Sequence, residues 1–139
     1  MIKFGFPESL VREYKNWVVL LRPAQCTLGA LVLVNKSDAQ SFSAIGKESF
    51  QELDQVTQDI ERSLKAFRPF QKINYLMLMM VDKEVHFHVL PRYENDQEFD
   101  GIRYPDPGWP MAPDLTAGAT LEQEQLSSLV GELKKNWAG

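Results

Sequence analysis

The sequence predicts an α+β fold: an antiparallel β-sheet with one long packed helix and a short C-terminal helix. Three observations carry this. Between Lys47 and Phe67, apolar residues Phe50, Leu53, Val56, Ile60, Leu64 and Phe67 recur at three- and four-residue steps, the period of a helix with one buried stripe. Short apolar runs of strand length stand on both sides of it, at Trp17 to Leu21, Leu28 to Val34 and Ile73 to Val81. Strands, a long helix and then more strands place the helix on an antiparallel sheet.

Taken in order, the first two runs are rich in Val and Leu, with Pro23 and Gly29 in and after the turn between them. The helix over 47–67 puts Glu48, Gln51, Gln55, Asp59 and Arg62 on its wet side, and Pro69 stops it. Ile73 to Val81 is nearly unbroken in apolar character, which predicts a central strand buried on both faces. Asp82 and Lys83 make a short turn, so the strand that follows forms an antiparallel hairpin with it. From about 93 to 120 the chain is rich in Pro, Gly, Asp and Trp without a period, an irregular arm rather than a second domain. Leu121 to Trp137 closes the chain as a helix, with Leu126, Leu129, Val130, Leu133 and Trp137 on one side. The expectation is a single domain over 1–139.

Bulk properties narrow the function. At 139 residues and 44% hydrophobic content the chain suffices for one core. A net charge of −4 argues against long nucleic acid as a partner, since such binding needs many cationic phosphate contacts. Cys26 is the only cysteine, which excludes an internal disulfide and suits a reducing compartment. The N-terminus lacks the apolar core of a signal peptide, and no run reaches the ~20 residues of a membrane span. A cytoplasmic protein without a membrane partner is expected.

The most informative segment is Lys83-Glu84-Val85-His86-Phe87-His88-Val89-Leu90-Pro91-Arg92, which holds both histidines of the chain. As a strand, it sends Val85, Phe87 and Val89 to one face and Glu84, His86, His88 and Leu90 to the other, at intervals of roughly 6–7 Å. Two polar residues on a half-exposed strand would read this way. So would a pair of metal ligands, although zinc wants three or four, and only Cys26, Glu84 and scattered carboxylates remain to complete a set. The third reading is nucleophilic catalysis. A neutral imidazole whose Nδ1–H is held by a backbone carbonyl presents its Nε2 lone pair to phosphorus, and the second imidazole donates to a phosphate oxygen. That chemistry needs no metal and no cofactor.

Glu84-Val85-His86-Phe87-His88-Val89-Leu90-Pro91-Arg92 resembles the signature of the histidine triad superfamily of nucleotide hydrolases and transferases: His-φ-His-φ-His, φ being apolar, followed by apolar residues and often Pro-Arg. The two early strands, the long helix, the strand holding Ile73-Asn74-Tyr75 and the signature strand arrive in that family's order. The resemblance implies a histidine triad-like fold, with His86 as the nucleophile that takes the nucleotidyl group and His88 as the phosphate contact. It also implies a homodimer and a small nucleotide substrate: a nucleoside phosphate, dinucleoside polyphosphate or phosphoramidate. Glu84 stands where the first histidine belongs. It either opposes an anionic substrate, unless it is protonated or paired with His88, Lys83 or Arg92, or raises the pKa of His88 and keeps it a cationic donor. Ala30 replaces a histidine common in the early strand, and Met79, Met80 and Val81 stand where a serine or asparagine often approaches the leaving group. These departures support an alternative, a histidine triad-fold nucleotide-binding or interaction protein without useful turnover.

The same resemblance makes Arg22, Gln25 and Thr27, in the turn before Gly29, shapers of the base and ribose pocket; the plainer reading is solvated turn residues. Asn74 either holds ribose or phosphate or satisfies neighbouring backbone. Arg92 is a phosphate clamp or a structural charge. Trp109 either stacks on a base or pins the proline-rich arm. Met77, Met79 and Met80 are expected to pack.

Overall fold

The structure is a computed structural model, and it describes residues 4–138. The outermost limits of the expected domain, 1–3 and 139, lie outside the described residues.

Leu10–Glu13 (β1), Trp17–Leu21 (β2) and Leu31–Asn35 (β3) precede the long helix Lys47–Phe67 (α1). Lys72–Leu76 (β4), His86–Arg92 (β5), Gln97–Phe99 (β6), Ile102–Tyr104 (β7) and the helix Gln123–Asn136 (α2) follow. Five strands form one antiparallel sheet in the order β1-β2-β3-β5-β4, and β6 and β7 make a separate two-stranded ribbon. This is the α+β architecture the sequence predicts.

Every residue of β2 and β3 is buried, because both faces of the sheet centre are covered. On one face Trp17, Val19, Leu21, Leu31, Leu33 and Val89 join Val56, Ile60 and Leu64 of α1 and Leu129 and Leu133 of α2 in the main core. Each such aliphatic side chain contributes about 1.5–3 kcal/mol on burial. The opposite face carries Val18, Leu20, Val32 and Val34 beneath Phe4 and Phe6, and Ala30 and Leu90 against Cys26, Leu115 and Ala117. The two ends of this second face are thus roofed by the N-terminal segment and by the arm that follows β7.

α1 occupies the predicted range and ends at Arg68, whose extended backbone is what a residue before proline adopts. Two of its positions differ from the helical-wheel reading. Asp59 is buried rather than wet: it accepts from the Tyr14 hydroxyl at 2.8 Å, and that hydroxyl accepts from the Trp137 indole at 3.0 Å, tying α2's end to α1. Phe50 is 40% exposed, since it reaches Phe42 beyond the edge of the core rather than the sheet.

Three strand expectations are corrected. β3 begins at Leu31 because Leu28 to Ala30 complete a turn in which Gly29 sits at φ +90°, a conformation that side-chain-bearing residues rarely adopt. β4 is an edge strand, not a central one, and it stops at Leu76: Met79 has φ 55°, off the strand path, and Met80 and Val81 are 83% and 74% exposed. Met77 and Met79 do pack against the core, but Met80 does not. β4 and β5 pair antiparallel as expected, but through a connection running from 77 to 85 rather than a tight turn at Asp82-Lys83.

The arm is less irregular than its composition suggests, since β6 and β7 form within it. Gly118 lets it lie against the β2–β3 turn, where an added Cβ would collide with the Gln25 carbonyl. α2 is shorter than predicted, with Gln125 reaching back to the Glu122 N–H at 3.0 Å. Among the described residues no helix is long and apolar enough to cross a membrane.

Candidate active site

His86 opens β5 opposite Val34, and His88 follows opposite Val32 and Leu76, so both imidazoles lie on the face away from the helices. Phe87 points the other way, toward Trp17 and Tyr75. The two imidazoles meet edge to face with centroids 5.3 Å apart, and Phe4 covers both at 5.3 and 6.3 Å. Phe4 is a site residue the sequence reading missed, because nothing in local spacing shows that the N-terminus folds back over β5.

His86 is buried, and its Nδ1 lies 2.8 Å from the Glu84 carbonyl oxygen. A carbonyl only accepts, so Nδ1 carries the proton, and in the neutral ring the lone pair is on Nε2. Among the described residues nothing bonds that Nε2. The expected backbone steering is thus present, supplied by the residue at the first signature position. It comes from Glu84's main chain rather than its carboxylate. Glu84 itself lies in a bend before β5, so the face alternation predicted from 84 holds only from His86 onward.

His88 is half-buried, and its Nδ1 is fully enclosed without a hydrogen-bond partner among the described residues. Burial first, then the positive charge of Arg22 and the neighbouring His86, lower its pKa to about 4, against a small opposing pull from Asp82. Of the two alternatives for Glu84, this disfavours the one in which it keeps His88 a cationic donor. In the free protein the imidazole is neutral at pH 7, and it donates as a neutral N–H.

The remaining predicted residues divide. Arg22 continues the β2 ladder through its N–H to the Ala30 carbonyl, and its guanidinium bonds the Ala24 and Leu115 carbonyls at 2.7 and 3.0 Å. Gln25 is buried rather than solvated: its amide bonds the Arg22 and Ala30 carbonyls and the Gly29 N–H, each at 2.8 Å, and so builds the turn. Thr27 is buried, and its Oγ1 has no partner among the described residues. Asn74, opposite Leu90, accepts from Arg92 at 2.8 Å. Arg92 is a buried structural charge, joined to Asp106 by two bonds of 2.7 and 2.9 Å, with side chains 4% and 1% exposed. Asp106, which also takes the Tyr93 N–H, was not singled out in the sequence; its only signal is a Pro-Asp-Pro step in the arm.

Trp109 joins Lys72, Asn74, Arg92 and Met111 around a cleft of about 450 Å³ at the far end of the histidine face. A second cleft of about 350 Å³, bounded by Cys26, Tyr104, Gly118 and Gln125, presents no histidine. Among the described residues no three His, Cys, Asp or Glu side chains gather as metal ligands.

No family model matches the chain, and no curated protein matches it either. Solved structures do. A histidine triad protein from Sinorhizobium meliloti superposes with TM-score 0.72 at 19% identity, over 91% of this chain and 87% of that one. A histidine triad protein from Marinobacter aquaeolei gives 0.70 at 17% identity, over 99% and 93%. A hypothetical histidine triad nucleotide-binding protein from Sulfolobus tokodaii gives 0.69 at 18% identity, over 92% and 82%. At these identities the likeness is one of architecture, and it spans nearly the whole of each chain. The chain has the fold of the histidine triad proteins.

Proposed function

We propose that this protein is a nucleotidyl hydrolase or transferase that works through a nucleotidyl-histidine intermediate on a nucleoside phosphate, dinucleoside polyphosphate or phosphoramidate. The observation that carries the reading is the hydrogen bond from His86 Nδ1–H to the Glu84 carbonyl, which leaves Nε2 as the nucleophile. In the first step the Nε2 lone pair forms a bond to the α-phosphorus. The bond from phosphorus to the leaving group breaks, and its electron pair departs with that group. In the second step water attacks phosphorus, the N–P bond returns its pair to Nε2, and the water's proton is released. As positive charge appears on the substituted ring, the Glu84 carbonyl bond strengthens, a stabilisation absent from the ground state. His88, as a neutral donor, meets a non-bridging oxygen. The ligand class is supported by the structural neighbour described as a hypothetical histidine triad nucleotide-binding protein.

The test is AMP release from adenosine phosphoramidate and diadenosine polyphosphates. The native protein is expected to release AMP, and His86→Asn to lose at least roughly a thousandfold in rate while remaining folded. Undiminished release by the variant removes His86 as nucleophile. The second reading, a nucleotide binder without turnover, is favoured by the exposed Met80-Val81 loop, which offers no hydroxyl or amide to a leaving group. AMP binding without release by the native protein selects it.

The proposal includes a homodimer. β4 is an unpaired sheet edge, and beside it Phe87, Tyr75, Leu53 and Leu33 line an apolar hollow of about 160 Å³ that α1 leaves open. Phe42 and Phe50 extend this strip. A second copy that pairs along β4 buries both features together.

A further inference from the structure

Among the described residues, the histidine face carries the cationic side chains of Arg22, Lys72 and Arg92 besides its imidazoles. Arg92 is neutralised by Asp106. Lys72 lies opposite Arg92, four residues along β5 from His88, which is about 13 Å at the strand rise. Arg22 differs from both. It follows Leu20 by two positions on the β2 ladder, so its side chain projects on the same face as the imidazoles. Its guanidinium is half-buried and held only by the neutral carbonyls of Ala24 and Leu115, and no carboxylate pairs with it among the described residues.

A guanidinium has five N–H donors, and only two are engaged here. A half-buried cation whose partners are all uncharged retains its full attraction for an anion, since nothing has offset its charge. The carbonyl tethers come from both sides of the site: Ala24 belongs to the turn after β2, and Leu115 to the arm that roofs Leu90. They fix the fork before any ligand arrives, which lowers the entropy lost on binding.

We propose that Arg22 is the anion clamp of this site, its unused N–H groups binding a non-bridging phosphate oxygen of the nucleotide beside His88. The assignment rests on the nucleotide reading above and deepens it, moving the positive charge of the phosphate site from an imidazole to a guanidinium. It accounts for a neutral His88, because Arg22 is the charge that lowers its pKa most. Among the described residues, the charged groups acting on His88 are Arg22 from the end of β2, His86 from its own strand and Asp82 from the β4–β5 connection. A phosphate seated between Arg22 and His88 screens the first of these and raises the imidazole's pKa.

Because the chain has two histidines, its imidazole Cε1–H spectrum has two lines, and each can be titrated with and without AMP. His88 is expected to titrate near 4 in the free protein and higher with AMP bound. In Arg22→Met the free value rises, and AMP affinity at pH 7 falls by about tenfold to a hundredfold, while adenosine affinity is unchanged. Arg22→Lys, which keeps the charge and loses the fork, falls between. In the native protein the Arg22 Nε–H resonance shifts with AMP and not with adenosine, a readout that does not depend on any variant folding. The proposal is overturned if that resonance is indifferent to AMP. It is also overturned if Arg22→Met weakens AMP and adenosine equally, which is the signature of a merely structural tether on Leu115. Turnover is read separately through His86→Asn. A native protein that binds AMP through Arg22 yet releases none from phosphoramidate keeps the clamp and loses the nucleophile, and one that binds no AMP loses both.

Discussion

Burial, Arg22 and His86 hold the His88 pKa near 4, below the ordinary histidine value of 6.5, so the unfolded chain binds this proton more readily than the folded one. Between those two values the unfolded state carries more protons, and stability therefore rises with pH. The contribution is fully present above about pH 6.5 and is lost as the pH falls through 6.5 toward 4. Urea midpoints measured from pH 7 to 4.5 should decline, and His88→Gln should flatten that decline; parallel curves for the two proteins refute the assignment. At position 84 the main chain does the steering, so Glu84→Gln keeps the carbonyl in place. Its kcat/KM should change by less than about tenfold, against the far larger loss in His86→Asn. A Glu84→Gln loss comparable to that of His86→Asn would show that the carboxylate, not the carbonyl, matters. Gln25 shows how a polar residue in a ligand-facing turn is claimed by the turn itself, since it meets three backbone groups that would otherwise be buried without partners.

Among the elements, β5 carries both imidazoles and the charge that anchors the arm. Arg92 binds Asp106 twice and Asn74 once. Asp106→Ala leaves a buried guanidinium without its counter-charge, and the expected loss in urea unfolding is about 3–5 kcal/mol. A loss below about 1 kcal/mol, the range of an exposed pair, contradicts this account. Replacing both partners, Arg92→Met with Asp106→Leu, should recover much of the stability because no charge is then stranded. α1 was legible to the residue because helical period and the Pro69 stop are local. The end of β4 was not, because the 77–81 run is apolar without being buried, and hydrophobicity alone does not distinguish a covered strand from an exposed loop. β6 and β7, three residues each, are too short to show a period.

For the whole molecule, the uncovered strip beside β4 decides the assembly prediction. Sedimentation equilibrium should give a dimer, and Phe42→Glu with Phe50→Glu should give a folded monomer, since both side chains are about two-fifths exposed in one chain and are not needed for its core. A native monomer at micromolar concentration, or a double variant with the native mass, removes β4 as the interface.

Taken alone, the sequence determined the α+β class, the long helix, the strand-like setting of His86 and His88 and the absence of an internal disulfide. All of these depend on residue type and spacing within short stretches. Tertiary structure decided that Phe4 roofs the imidazoles, that Arg92 is paired with Asp106, that Asp59 is buried and that His88 is neutral. Each of those is set by burial or charge from groups distant in the chain, and neither solvent access nor electric field at a side chain is written in its immediate neighbours.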